Sequence, residues 1–414
     1  MNHAAPLAPN ERILTLDVVR GFALLGIFIM NMPYFGQSFF SEADGSHLWP
    51  DATNRAAETL RDMFFSGKFN SMFSLLFGIG FTIQLGRLQE HDPDHALAIY
   101  VRRLLILLAV GLAHAILVWN GDVLHVYAVL GLLLLFLRNV SDRTVCAIIA
   151  VAIAFPVLAN LARLWLFSGD DIKQAVALAQ QFEAADNQAL GHGTFLDAAR
   201  ATARSFYFFY TDPMLLVGSL NFYAQMVTTM LLGLLVGRHR LVARLDELMP
   251  RIRRLQWQAL AVGLACAVVY GVGEQYVKPF EASLLKMIVG LAYVACRLGL
   301  MIFYVLTIVR AAQSPTWRPR LAPMAAAGRM PLTNYLLQTL LATSTFYGWG
   351  LGYWLQIGPA GELLLAIALF FAIQMPLSVL WFKRFDYGPL EYLWRTLTYG
   401  RRPARAVAAI SPSA

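Results

Sequence analysis

The sequence predicts an all-α integral membrane protein of about ten transmembrane helices, with N- and C-termini both cytoplasmic. Three observations predict it. Of 414 residues 58% are hydrophobic and only 14% are charged, where a soluble domain carries roughly 25% charged residues; the mean hydropathy is +0.56. Apolar segments recur at the length of about 20 residues that a helix needs to cross a hydrocarbon core of roughly 30 Å. Basic residues alternate with these segments: 23 of the 33 Lys and Arg fall on one side, and 15 of the 25 Asp and Glu on the other. Basic residues resist translocation, so the basic side is read as cytoplasmic. The net charge of +8 is therefore a topology signal, and no nucleic-acid motif accompanies it.

Taken in order, the spans are placed at 18 to 40, 66 to 86, 101 to 119, 122 to 138, 144 to 167, 218 to 237, 256 to 273, 284 to 310, 330 to 348 and 362 to 382. The first is too long for a removable signal peptide and lacks its small-residue cleavage pattern, so it reads as an anchor. Only Asn120 and Gly121 separate the third from the fourth, which makes a tight helical hairpin. The outer segment from Ser168 to Thr211 reads as one or two short amphipathic helices lying over the outer face. Gly78, Gly80 and the Gly233 to Gly237 pair read as close helix contacts, and Gly348, Gly350 and Gly352 as the end of the ninth span. The first ten residues and the tail after Arg401 are expected to be mobile. Cys146, Cys266 and Cys296 lie far apart in apolar runs, so neither a disulfide framework nor a metal knuckle is expected, and no metal is assigned.

Function is sought among the polar residues inside the spans, because burying them in lipid is costly. His114 precedes the hairpin turn, while Asp122 and His125 follow it. A carboxylate that fixes the tautomer of an imidazole and stabilises its charged form builds a general base near neutral pH. His114 with Asp122 fits that role; the other reading is that His114 and His125 bond neighbouring helices and Asp122 caps the fourth span. Asn31 lies in the outer half of the first span and His47 in the loop beyond it. Arg297 is an obligatory cation near the centre of the eighth span. It is expected to reach Asp122, to pair with Glu274 or Glu281, to bind an anionic substrate, or to snorkel to the surface. Asn334, Tyr335 and Gln338 form a polar stripe on the ninth span, read as a channel wall. Glu391 and Arg395 are an i, i+4 pair near the C-terminus.

Five stretches in this order, RILTLDVVRGFALLGIFIMN, GKFNSMFSLLFGIGF, HAILVWNGDVLHVYAVLG, GRMPLTNYLLQTLLATSTFYGWGLG and GPLEYLWRTLTYG, resemble the YeiB-like family of bacterial inner-membrane proteins (DUF418 type). The N-terminal half also resembles the transmembrane acyltransferase superfamily that includes heparan-glucosaminide N-acetyltransferase. The resemblance implies four regions: an acyltransferase-like membrane half over 1–140, a fifth span with an outer helical segment over 141–217, a YeiB-like membrane half over 218–400, and a tail over 401–414. It implies a multi-pass protein of the bacterial inner membrane that moves an acyl group from cytosolic acyl-CoA or acetyl-CoA to an outer hydroxyl or amine of a small-molecule, glycan or lipid acceptor. Membrane lipids are expected partners, nucleic acid is not, and a homo-oligomer is compatible. Asn31 matches the superfamily's Asn; His47 stands in the loop of its catalytic His but sixteen residues on, further than the pattern has it. His114 and Asp122 belong to the YeiB-like motif and make His114 the preferred base. Arg20, Arg329 and Arg395 on the basic side become candidates for the CoA phosphates, with topology determinants and lipid contacts as the plainer reading. Some family members are described as involved in transport, which makes a small-molecule transporter or exporter the alternative.

Overall fold

The computed structural model describes residues 14 to 277 and 283 to 400, and every regular element among them is helical. The first ten residues, Arg12, Glu281 and the tail from Arg401 lie outside the described residues. Eight helical stretches are long and apolar enough to cross a membrane. Many of their large apolar side chains point outward; Phe136, Val151, Trp165 and Leu364 are all well over half exposed. Lipid is the solvent that accepts such a surface.

Helix α1 (Leu14–Asn31) is the central post, with Val18, Ala23 and Phe28 fully buried. It ends at Asn31, nine residues before the predicted boundary of 40, because Pro33 lacks the N–H that would continue the ladder and starts the short α2 (Pro33–Gly36). Helix α3 (Ala52–Phe64) follows, an amphipathic element with no buried residue that the sequence reading left inside a loop. Asp51 caps it by accepting from the Asn54 backbone N–H. Helix α4 (Lys68–His91) returns through the bundle, and α5 (Ala96–Leu117) and α6 (Leu124–Leu137) make the expected hairpin. Next come α7 (Asp142–Leu166), α8 (Gly169–Gly191), α9 (Phe195–Thr211) and α10 (Pro213–Arg238). The predicted short helices over 168 to 211 are thus two, of 23 and 17 residues, each opened by a Ser or Thr capping box with Asp171 or Asp197.

Helices α11 (Leu245–Gly273) and α12 (Leu284–Gln313) pair along their lengths, with Gly263 against Gly299 and Leu300. Helix α4 crosses α10 where Gly78 meets Gly233, so a side chain at either would collide with the opposing backbone. Gly80, grouped with Gly78 in the sequence reading, packs on nothing within 4 Å and lines a cavity instead.

The chain closes with α13 (Ala322–Arg329), α14 (Pro331–Phe346), α15 (Pro359–Leu369), a π-turn over 370–374, α16 (Met375–Trp381) and α17 (Pro389–Tyr399). Two of the predicted spans come out short. Helix α6 has 14 residues and α14 has 16, about 21 and 24 Å at 1.5 Å per residue. Both stop where a polar residue is held in the interior: α6 starts beyond Asp122, and α14 starts on a carboxylate supplied by α17.

Candidate active site

The α5–α6 turn folds inward because Asp122 holds both of its flanks. Its Oδ1 accepts from His114 Nδ1 at 2.9 Å, and its Oδ2 accepts from His125 Nδ1 at 2.9 Å and from the His125 backbone N–H at 3.2 Å. The Tyr335 hydroxyl, from α14, donates to Oδ1 at 3.3 Å and accepts from the Val123 N–H at 3.3 Å. His114, Asp122 and His125 are each less than a tenth exposed. Gly111 lets the two hairpin helices approach, since a Cβ there would lie 2.9 Å from the His125 Cα. Asp122 thus both ties the turn, as its capping reading had it, and bonds two imidazoles.

An ionised carboxylate only accepts, so each Nδ1 donates to it and, in the neutral imidazole, Nε2 is left as the acceptor. The two differ in what meets that lone pair. His125 Nε2 bonds the Tyr210 hydroxyl at 2.6 Å, and the Tyr210 and Tyr223 hydroxyls bond each other at 2.6 Å. Burial pushes the Tyr210 phenol well above its ordinary range, so it keeps its proton. His114 Nε2 is buried with no partner among the described residues. Of the two imidazoles, His114 has the available base.

Below the turn opens a cavity of about 720 Å³ between α1, α4, α5, α6, α13, α14 and α17. Its inner end is formed by Val123, Leu124, Tyr127 and Tyr335; the Tyr335 ring stands edge-on to His114, with centroids 5.7 Å apart. Aliphatic and Phe side chains line its waist, including Leu24, Phe73, Leu76 and Leu107. Its mouth is cationic, with Arg20, Arg87, Arg103, Arg329 and Arg395 beside Asp17, Glu90 and Glu391. Arg103 lies over the Trp394 ring at 3.8 Å, Arg329 over Phe382 at 3.8 Å and Arg395 over Tyr387 at 4.7 Å. Arg20 bonds Asp17 at 2.6 Å. These contacts fix the planes of the guanidinium groups in advance of any ligand.

Helix α17 forms the lip of the mouth and is fastened by Glu391. The carboxylate accepts from Leu332 N at 2.7 Å, Thr333 N at 3.1 Å and Thr333 Oγ1 at 2.6 Å. It serves as a cap for α14, supplied from another helix, rather than as a simple surface partner for Arg395.

The other expected site residues fall elsewhere. Of the α14 stripe only Tyr335 lines the cavity. Asn334 donates to Ala327 O and Ser378 Oγ, and Gln338 donates to Leu24 O and Gln374 Oε1, so both bind α14 to its helical neighbours. One residue along a helix turns a side chain about 100°, which takes Asn334 off the cavity face. Asn31 is half-buried at the end of α1, and no hydrogen bond among the described residues ties it to the His–Asp cluster. His47 is exposed, with Nδ1 2.8 Å from the Arg55 guanidinium, which donates to it. Arg297 is 1% exposed, which removes the snorkelling reading; it bonds Ser71 Oγ at 2.6 Å and the Gln225 carbonyl at 3.5 Å. It forms no ion pair with Asp122 or Glu274, while Glu281 is outside the described residues.

Arg103, Trp394, Tyr210 and Tyr223 were missed by sequence reasoning. Arg103 looked like a topology charge; Trp394 sits beside the Arg395 that had been singled out, and that proximity was the available signal.

A polytopic helical membrane protein with a buried His–Asp–His cluster above a basic-mouthed cavity is the class that fold and site define. Residues 236–401 match the family described as "Protein of unknown function (DUF418)". Over nearly full length the chain is similar to the uncharacterized protein YxaH of Bacillus subtilis, 31% identical over 96% of this chain and 97% of the relative. It is also similar to the uncharacterized protein YeiB of Escherichia coli K12, 31% identical over 94% and 96%. The chain belongs to the YeiB-like, DUF418 family. No solved structure matches it.

Proposed function

We propose that the protein is an acyltransferase of the bacterial inner membrane, carrying an acyl group from acyl-CoA at the basic face to a hydroxyl or amine acceptor on the far side. The observation that carries this reading is the cavity, basic at its mouth, apolar along its waist, and ending at Tyr335, whose ring separates it from the buried, unpartnered Nε2 of His114, with ring centroids 5.7 Å apart. Its volume of about 720 Å³ lies within the roughly 300–1,000 Å³ typical of small-molecule sites. From Arg103 to His114 is eleven residues of α5, about 16 Å of helix, so a donor with a phosphorylated head and a reactive end on a long thin arm fits this layout.

In this reading the mouth arginines hold the donor phosphates and the waist holds the arm. His114 Nε2 removes the proton of the acceptor O–H or N–H as that atom attacks the thioester carbonyl. The C–S bond then breaks, and the imidazolium returns the proton to the departing thiolate. Asp122 stabilises the imidazolium meanwhile, and Tyr335 holds Asp122. The transport alternative needs a passage open at both ends, and no observation favours it over this one.

Titration of the purified protein with acetyl-CoA, followed by calorimetry, tests the proposal. Wild type is expected to bind saturably, and Arg329→Ala with Arg395→Ala to weaken binding at least tenfold. His114→Ala is expected to keep binding and to lose release of free CoA in vesicles of the native membrane. Absence of acetyl-CoA binding by wild type, or full CoA release by His114→Ala, refutes it.

A further inference from the structure

A second buried polar centre lies outside the cavity, where α3, α4, α10 and α12 meet, and it holds two cations. Lys68 is 0% exposed and Arg297 is 1% exposed. They are neighbours across Gly67: a Cβ on that glycine would lie 2.8 Å from Arg297 Cδ. Gly67 has φ +72°, a left-handed conformation that glycine adopts without strain, and it turns the chain so that Lys68 enters the bundle. The Lys68 ammonium donates to the Asp62 carbonyl at 3.0 Å and stands 5.7 and 5.8 Å from the ring centres of Tyr270 and Tyr293. Arg297 donates through one terminal nitrogen to Ser71 Oγ and to the Gln225 carbonyl. Its Nε is buried and has no partner.

Two like charges side by side in a low-dielectric interior repel and are costly to desolvate, and neutral carbonyls and ring faces return only part of that cost. Neither cation forms an ion pair with an Asp or Glu among the described residues. The same spot is the N-terminus of α4, a helix of 24 residues whose N-cap, Gly67, supplies no side-chain acceptor. The positive end of its dipole adds to the two side-chain charges. Three sources of positive potential thus converge on an unpartnered guanidinium N–H, while the neighbouring carboxylate, Asp62, is held by Arg61 at 3.0 Å.

We propose that this centre is a binding site for one small anion, held by Lys68, by Arg297 through Nε, and by the first turn of α4. The ligand class is a compact monoatomic or oxygen anion: a halide, a phosphate, or the carboxylate of a small molecule. Neither cation lines the acyl-donor cavity, so this site stands apart from the transfer reaction and does not depend on it.

The test uses the full-length purified protein exchanged into a sulfonate buffer, whose anion is neither a halide, a phosphate nor a carboxylate. Chloride, phosphate and acetate are titrated separately at constant ionic strength while Tm is followed, and anions released on denaturation are counted by ion chromatography. Wild type is expected to retain about one anion per chain, or to gain several degrees saturably with at least one of the three; the anion that acts identifies the class. Arg297→Gln and Lys68→Gln are expected to lose both the retention and the gain. Should either variant not fold, the wild-type measurement stands by itself: no retained anion and no saturable gain with any of the three overturns the proposal. So does an equal gain in Arg297→Gln, which would mark a general salt effect.

Discussion

At the scale of residues, Asp122 is the hinge of the site, because one carboxylate sets the tautomers of two imidazoles. Asp122→Asn places an amide where both histidines need an acceptor, so activity is expected to fall about 100-fold or more, with acetyl-CoA binding retained. His125→Ala leaves the His114 pair intact and is expected to cost far less; a CoA-release assay on both variants checks the ranking. The His114–Asp122 pair was legible because eight residues separate the two across a tight turn. Tyr335 was legible as a wall residue, but its pairing with Asp122 and that of Tyr210 with His125 were not, since the partners lie 213 and 85 residues apart. No periodicity encodes which distant helix will pack against a turn.

Asp186 on α8 carries a second residue-scale expectation. It is buried, accepts from Ser38 Oγ at 2.7 Å and faces Arg204 at 3.4 Å, and burial pushes its pKa up to about 6 despite those partners. The native state therefore holds this proton more tightly than the unfolded chain. Its stabilising effect is complete below pH 4 and disappears as pH rises through about 6, a change of up to about 3 kcal/mol. The helix-cap carboxylates Asp171 and Asp197 are lowered by their Ser168 and Thr194 hydroxyls and titrate below this window. Wild type is expected to melt higher at pH 5 than at pH 7.5, and Asp186→Asn to narrow that difference.

At the scale of elements, boundaries followed polar anchors more than hydropathy. The apolar run after Asn31 suggested a span to residue 40, yet Pro33 ends the helix. Helix α3 escaped notice because it buries nothing and has no apolar stripe long enough to register against the spans around it. Helix α14 depends on a cap contributed from α17. Glu391→Ala is expected to destabilise the protein by about 1–2 kcal/mol, measured as a lowered Tm, and to weaken acetyl-CoA binding by loosening the lip of the mouth. A variant that melts like wild type would show that α14 starts without that carboxylate.

At the scale of the whole molecule, the membrane class was legible because lipid imposes its composition on every outward face. Phe136, Val151 and Trp165 satisfy that demand wherever their helices sit. The arrangement of helices around the cavity was not legible, since Gly78 and Gly80 look alike in sequence and only one of them packs. The inward turn at Asp122 also alters how the bundle divides an electric field. Were the cavity water-filled, solvent entering at the arginines would carry the potential of that face to the foot of Tyr335, and a membrane voltage would drop mainly across the remaining layer above it. In the proposed reaction the charge forming on His114 would lie in that steepened field, where a full traverse is worth about 2.3 kcal/mol per 100 mV. Under that proposal the energised state of the membrane would bear directly on the imidazole, with no dedicated voltage sensor.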